Sequence, residues 1–319
     1  MTNPTMPKSG NKYRLGKTAQ LATLVGCAAL LAGCGSMRES AGLDGGKNGE
    51  QSISPSSEQF NARAAQLEFE QNLQTLASEV AAHYGGRVSL AVVGRDAEFT
   101  GGEEGREQAW STIKVPIAVA AAQQGASEEL IDATIKESDN NAAYMLWLEV
   151  EQAKGSAETT VAELLGEVGS SADITPAFGE SVWPVLDQAR FGAALSCIDG
   201  AEPIYQAMDD VVDWQSWGLS NEKNVRAKGG WGFDEDTGQY TARQLGVLKL
   251  PRGDVGLAVS VSWIAEDWAD IVSKVDSGEH QSIEELSTYV LDELAGKLVA
   301  EVNKAYAAGV VEPVKTCLR

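Results

Sequence analysis

Residues 111–121 read STIKVPIAVAA, and residues 127–147 read SEELIDATIKESDNNAAYMLW. In the first stretch a lysine follows a serine by three positions and leads an apolar run, which predicts a helix with Ser111 and Lys114 on one face. Ser127 is a favourable N-cap for the next helix. Strand-like segments stand before and after this region. It is therefore predicted to be a helical insertion into a sheet.

Patterns on both sides of this region predict the remaining elements. Capping boxes at Ser56 and Ser282 open the first and last helices. Runs rich in β-branched residues predict strands at 87–93, 97–100, 225–233, 240–250 and 255–264. Helical patterns fall at 117–122, 128–137, 142–150, 161–168 and 186–195. The order predicts an α+β fold: an antiparallel sheet built from both chain ends, flanked by helices, with an inserted all-α lobe and a cleft between them.

Composition narrows the chemistry. Of the 319 residues, 43% are apolar, so the chain is not wholly disordered. Acidic residues outnumber basic ones by 46 to 25, giving a net charge of −21, which argues against nucleic acid as a partner. With two histidines and no CxxC pair, we expect no metal and no cofactor. We expect a monomer.

The first 33 residues are typical of an export signal. Basic residues precede an apolar stretch at 19–32 that is too short to span a bilayer comfortably. Residues 31–34 read LAGC, which resembles the lipobox of bacterial lipoproteins and implies cleavage before Cys34 and lipid on its thiol. The alternative is an ordinary signal peptide with an incidental cysteine. Residues 34–55 are rich in Gly and Ser and predict a flexible tether, so the folded domain is expected at 56–319, outside the cytoplasm and anchored to the cell membrane.

The cysteine inventory depends on that export signal. If Cys27 leaves with the signal and Cys34 carries lipid, Cys197 and Cys317 remain. Disulfides persist outside the cytoplasm, so we expect these two to pair. A loop of about 120 residues would then be closed, which contributes about 4 to 5 kcal/mol in the chain-entropy treatment. Two unpaired buried thiols are the alternative.

Three short motifs carry the candidate chemistry, and each has a structural alternative. S-x-x-K at Ser111 also occurs at Ser9 and Ser220, and a serine at a helix start is often only an N-cap. The S-D-N tripeptide at 138–140 is more specific, although a polar helix junction explains it too. K-G-G at 228–230 is also consistent with a turn bearing a solvated lysine.

In this order the motifs resemble the S-x-x-K, S-D-N and K-[ST]-G elements of class A β-lactamases and penicillin-binding proteins. The resemblance covers about residues 56–309. It implies that Ser111 attacks a carbonyl, and that Lys114 accepts its proton once burial and the charge of Lys228 lower the lysine pKa. Ser138 would then pass a proton to the leaving nitrogen.

The same resemblance assigns the other site residues. Asn140 would orient Lys114 or the substrate amide, and Lys228 would also attract a substrate carboxylate. The backbone N–H groups of Ser111 and Trp231 would form an oxyanion hole. The substrates implied are β-lactams or cell-wall peptides that end in D-alanyl-D-alanine.

Three departures from the family pattern stand out. The S-x-x-K and S-D-N motifs are only 27 positions apart. Gly229 stands where a hydroxyl residue is expected, which removes one hydrogen bond to a substrate carboxylate. The E-x-x-L-N motif of the deacylation base has no clean match: Glu180 lies in the right region, but Trp183 and Pro184 replace Leu-Asn. Glu180 is therefore either a deacylation base or an ordinary loop acid.

Two functions follow. The first is an envelope-anchored serine hydrolase that forms an acyl-enzyme at Ser111 but turns over slowly without a deacylation base. The second is a noncatalytic protein of the same fold that acts as a binding or scaffold module. A solute-binding lipoprotein is disfavoured because it would need two lobes of alternating strands and helices.

Overall fold

Five antiparallel strands form one sheet in the computed structural model, which describes residues 57–264 and 267–318. The strands are β1 (Arg87–Val93), β2 (Glu98–Gly102), β3 (Val225–Asp234), β4 (Gln239–Leu250) and β5 (Gly253–Trp263). Their order is β2-β1-β5-β4-β3, so strands from the two ends of the chain meet where β1 pairs with β5. The predicted α+β fold is confirmed. The predicted signal peptide, the lipid site at Cys34 and the tether lie outside the described residues.

Helices cover both faces of the sheet and form the inserted lobe. They are α1 (Ser57–Tyr84), α2 (Lys114–Ala122), α3 (Glu128–Ile135), α4 (Asn140–Lys154), α5 (Ala157–Glu167), α6 (Val185–Ala194), α7 (Glu202–Ala207), α8 (Trp268–Asp276) and α9 (Ile283–Ala307). Helices α7 and α8 were not predicted. In the case of α7, six residues are too few to display a helical period. None of the helices in the described part of the chain has the length and apolar character needed to cross a membrane.

The terminal helices α1 and α9 share one face of the sheet. Ser282 caps α9 by accepting a hydrogen bond from the Glu285 amide, as its capping box predicts. The apolar stripe of α9 is buried against the sheet, with Leu286, Leu294 and Val302 each fully covered. On the opposite face α6 lies so close to β5 that a Cβ at Gly256 would stand 1.9 Å from a carbonyl oxygen of that helix. Only glycine fits at that contact.

The helical lobe has its own hydrophobic core. Residues 115–121 of α2 are all buried, so this helix runs through the centre of the lobe rather than along its surface. Side chains of the surrounding helices, such as Leu146, Val161 and Tyr205, pack into the same cluster. A helix buried on every side is held in a fixed position. The start of α2 is therefore a rigid place for reactive groups.

A disulfide joins Cys197 to Cys317, with Cα atoms 4.8 Å apart. It connects the segment after α6 to the C-terminal tail, whose Val314 forms an antiparallel bridge with Asp254 at the start of β5. The tail is thereby fixed to both the lobe and the sheet. The two cysteines are not free thiols in this structure.

Candidate active site

Ser111 lies at the junction between the sheet and the helical lobe. A 3₁₀ turn (Trp110–Ile113) precedes α2, and its N-cap is Ala109, so Ser111 is not the N-cap that its sequence also allowed. Trp110 has φ +49°, a left-handed conformation that is unfavourable for a residue with a side chain. Strand β3 packs directly on this turn: a Cβ at Gly230 would lie 2.6 Å from the Ser111 nitrogen. The partly exposed Ser111 hydroxyl makes no hydrogen bond with any residue that the structure describes.

Lys114 is the first residue of α2 and is 1% exposed. Its Nζ atom donates hydrogen bonds to the Ser138 carbonyl oxygen at 2.6 Å, to the Ser138 hydroxyl at 3.2 Å and to Asn140 Oδ1 at 2.7 Å. It follows Ser111 by three residues, and both line the same cleft. The structure therefore brings together four of the residues that the motifs nominated.

Burial lowers the pKa of the Lys114 amine to about 8, and the Asp139 carboxylate opposes this shift. The pKa of Lys228 is also lowered, well below its usual value, by burial and then by the charge of Lys114. Desolvation is thus the main reason that an uncharged amine is accessible here near neutral pH.

The S-D-N motif contributes both to structure and to the site. Asp139 is the N-cap of α4 and accepts a hydrogen bond from the Ala142 amide at 2.7 Å. Ser138, just before it, has φ +53°, another left-handed conformation. This turn directs the Ser138 hydroxyl between two amines, 2.9 Å from Lys228 Nζ and 3.2 Å from Lys114 Nζ. The motif is therefore a helix junction whose flanking residues also face the candidate base.

Lys228 is fully buried and is not the solvated turn lysine that its sequence also allowed. Its Nζ atom donates to the Ser138 hydroxyl at 2.9 Å, to Gln215 Oε1 at 2.8 Å and to the Gly229 carbonyl oxygen at 2.9 Å. Gln215 is itself held by a bond to the Lys136 carbonyl oxygen at 2.7 Å. Gln215 was not predicted as a site residue, since no local sequence pattern distinguishes it from a surface glutamine.

The edge position of β3 leaves some of its amides free to face the cleft. The Ala227 N–H donates to the Met208 carbonyl oxygen, outside the sheet. Because amides alternate in direction along a strand, the Trp231 N–H also points away from β4. Trp231 and Ser111 line the same cleft. The Trp231 N–H is therefore directed away from the sheet, next to the cleft that Ser111 also lines.

The cleft has a volume of about 530 Å³. One wall is formed by the 3₁₀ turn, the start of α2 and strand β3, and the other by residues 176–180. Aromatic side chains are prominent in its lining: Trp110, Tyr144, Phe178 and Trp231. The charged residues of the lining are Lys114 and Glu180. The space is large enough for a small amide or the end of a peptide.

Glu180 is exposed at the end of a short 3₁₀ turn (Phe178–Glu180). Within the described residues its carboxylate makes no hydrogen bond or ion pair, and the three acceptors of Lys114 Nζ do not include it. Trp183, which stands where the family has leucine, is fully buried and donates to the Ser170 hydroxyl. The segment is thus a tightly packed loop, and its acid is not linked to the lysine.

Arg243 stabilises the segments on either side of the site. It pairs across the sheet with Gly230 and is fully buried. Its guanidinium donates to the carbonyl oxygens of Glu107 at 2.8 Å, Gln108 at 2.9 Å and Trp183 at 2.7 Å. Burial lowers its pKa to about 10. This side chain joins the segment that enters the 3₁₀ turn to the loop that forms the opposite wall.

The chain has the fold of the class A β-lactamases. It superposes on an ancestral class A β-lactamase with a TM-score of 0.52 and 17% identity, covering 72% of this chain and 99% of that one. A β-lactamase from Xanthomonas campestris pv. campestris superposes with a TM-score of 0.51 and 17% identity, covering 72% of this chain and 98% of that one. A β-lactamase from Streptosporangium roseum superposes with a TM-score of 0.51 and 13% identity, covering 72% of this chain and 99% of that one. No model of a known protein family matches the sequence. No curated protein matches it.

Proposed function

We propose that this protein is an envelope-anchored serine hydrolase that forms an acyl-enzyme at Ser111 with β-lactams or with D-alanyl-D-alanine-type cell-wall peptides. One observation carries the proposal: the buried amine of Lys114 is fixed by Ser138 and Asn140, with its pKa lowered to about 8, three residues after a serine in the same cleft. A lysine needed only for stability would not have to be buried in an amine cluster beside an open serine.

The proposed acylation step requires the Ser111 hydroxyl to turn toward Lys114, since the two groups line the same cleft but share no hydrogen bond. As the Ser111 oxygen bonds to the carbonyl carbon, its proton passes to the uncharged Lys114 amine. The carbonyl oxygen becomes an oxyanion and accepts hydrogen bonds from the Ser111 and Trp231 amides. When the carbon–nitrogen bond breaks, the leaving nitrogen takes a proton from the Ser138 hydroxyl, which recovers one from the Lys114 ammonium. Atoms and charge balance, and Lys114 is again neutral.

Deacylation is the slow half of the proposed cycle. It needs a base that activates water on the acyl-enzyme. Glu180 lines the cleft but has no hydrogen bond to Lys114 or to another described residue that would fix it for this task. We infer that Glu180 is a loop acid and that the acyl-enzyme accumulates.

The proposed location rests on the N-terminal sequence. Residues 1–33 would direct export, lipid on Cys34 would hold the protein at the membrane, and residues 34–55 would let the domain reach its substrate. The disulfide between Cys197 and Cys317 supports an oxidising compartment.

A noncatalytic binding module is the second candidate. It is favoured by Gly229, which lacks the expected hydroxyl, and by Glu180, whose carboxylate makes no hydrogen bond to the described residues of the site. The two functions differ in whether a covalent bond forms.

Intact-mass spectrometry with a panel of β-lactams and a D-alanyl-D-alanine peptide separates them. We expect one stable adduct per wild-type chain and none in Ser111→Ala. Saturable binding without any adduct would overturn the proposed enzyme and support the binding module.

A further inference from the structure

The K-G-G segment of β3 is where the family resemblance implies that a substrate carboxylate binds, and a tryptophan fills that place. A Cβ at Gly229 would lie 2.6 Å from Cζ2 and 2.9 Å from Cη2 of Trp217. Real Cβ atoms do not approach this closely, so the ring occupies the space that a serine or threonine side chain would need. Trp217 is buried, and its ring packs edge-on against the ring of Trp231, with the two ring centroids 5.8 Å apart.

Trp217 is held rigidly in that place. Across the sheet Gly229 pairs with Gln244, which is fully buried. The Gln244 amide donates to the Trp217 carbonyl oxygen at 2.7 Å and accepts from the Leu219 N–H at 2.7 Å. The intervening Gly218 amide donates to an α9 aspartate, Asp292. These bonds fix the backbone at Trp217 and at the two residues after it, and the ring itself is held by its burial and by its packing against Trp231.

Lys228 has no free donor for a carboxylate. Its Nζ atom already makes three hydrogen bonds, to the Ser138 hydroxyl, to Gln215 Oε1 and to the Gly229 carbonyl oxygen. The group is also fully buried, so it presents no charged surface to the cleft. To bind a carboxylate it would have to abandon a partner that is buried with it, such as Gln215.

The rest of the cleft offers no substitute. Lys114 is the one basic side chain among the lining residues that the structure describes, and its Nζ atom is hydrogen-bonded to Ser138 and Asn140. The other charged lining residue, Glu180, repels an anion. No cation that lines the described cleft is therefore free to compensate the charge of an entering carboxylate.

We propose that the cleft favours amides or esters that carry no free carboxylate beside the scissile bond, and that Trp217 is the residue that sets this preference. The inference rests on acyl-enzyme formation at Ser111. It ranks the proposed substrates: penicillins and peptides that end in D-alanyl-D-alanine acylate Ser111 slowly as free acids and faster when that carboxylate is masked.

Benzylpenicillin and its methyl ester test the proposal, because they differ only at the carboxylate. The rate of adduct formation is measured by intact mass for each, and each rate is divided by the alkaline hydrolysis rate of the same compound. We expect the methyl ester to acylate Ser111 at least about tenfold faster. Equal rates, or a faster free acid, overturn the inference and leave the proposed function standing. No adduct from either compound refutes the proposed function itself.

Variants assign the preference to Trp217. The double variant Trp217→Ala with Gly229→Thr removes the ring and supplies a hydroxyl, and we expect the ester-to-acid rate ratio to fall about tenfold. Trp214→Ala is the matched control: Trp214 also packs edge-on against Trp231, but it is 59% exposed and is not among the atoms nearest Gly229. Its ratio should equal that of the wild type. An unchanged ratio in a double variant with native circular dichroism would overturn the role of Trp217. If that variant does not fold, Trp217→Leu with Gly229→Ser, which also removes the ring and supplies a hydroxyl, makes the same test.

Discussion

The Ser138 hydroxyl lies 2.9 Å from Lys228 Nζ, and the same oxygen lies 3.2 Å from Lys114 Nζ. Two amines that share one small hydroxyl in a buried site repel each other when both are protonated. This favours a state in which at least one of them is neutral. The hydroxyl also connects the candidate base to the cleft side of the cluster, where a leaving group would need a proton.

The rate of acylation should rise with pH. Because burial lowers the pKa of Lys114 to about 8, the reactive amine is protonated below this pH and free above it. We expect a plateau above about pH 9 and a rate about 100-fold lower at pH 6. The midpoint belongs to the coupled pair of amines rather than to one residue. Stopped-time intact mass across pH 6 to 10 measures it, and a flat profile would contradict Lys114 as the base.

Asp139 should tune that midpoint. Its carboxylate raises the pKa of Lys114, so Asp139→Asn should move the midpoint of the acylation profile to lower pH. Asparagine is also a good N-cap, so the variant should keep its stability. Asp139→Ala should move the midpoint likewise but lose about 1 kcal/mol of stability. Urea unfolding and pH profiles of both variants are the measurements; a midpoint that stays in place would show that this charge does not act on the base.

Arg243 should be important for stability. Replacing it with Met removes three hydrogen bonds from a fully buried guanidinium to backbone carbonyl oxygens, and we expect a loss of about 3 kcal/mol in the free energy of unfolding. Arg252→Met is the matched control, because that guanidinium is exposed and its ion pair with Glu312 lies at the surface. The control should change stability by about 0.5 kcal/mol or less. Equal effects of the two substitutions on the free energy of unfolding in urea would show that the hydrogen bonds of Arg243 do not stabilise the protein in this way.

Glu180 should have little effect on turnover. Glu180→Gln is expected to change the lifetime of the acyl-enzyme by less than about threefold, since the carboxylate is not fixed beside Lys114. A general base contributes about 100-fold or more to the step it assists. A loss of that size in the deacylation rate, followed by intact mass after removal of excess β-lactam, would identify Glu180 as the base after all.

Much of the fold was predictable because the residues that determine its strands and helices form short-range sequence patterns. Strand β1 matches its predicted bounds, and the three C-terminal strands begin and end within about two residues of prediction. Their β-branched runs and the turns between them are short-range signals. Helix α8 was not predicted, although its apolar residues at 268, 271, 272 and 275 follow helical spacing.

The partners of the site residues were not predictable in the same way. Sequence motifs pointed to Ser111, Lys114 and Ser138. The roles of Gln215, Gln244 and Arg243 depend instead on the residues they contact across the sheet or an adjacent loop. Register and burial decide those contacts, and neither is visible in a single sequence. The space beside Gly229 is similar: the sequence showed a missing hydroxyl but not the ring of Trp217 that replaces it.

The most direct test of catalysis by Ser111 and Lys114 is the rate of acylation by a β-lactam at pH 8, with the position of the adduct located by peptide mapping. The wild type should give a single adduct on Ser111, and Ser111→Ala should give none. Lys114→Met should react at least about 100-fold more slowly, because the proton of the serine then has no acceptor. An adduct on another residue, or a Lys114→Met variant that reacts at the wild-type rate, would contradict catalysis by this serine and lysine.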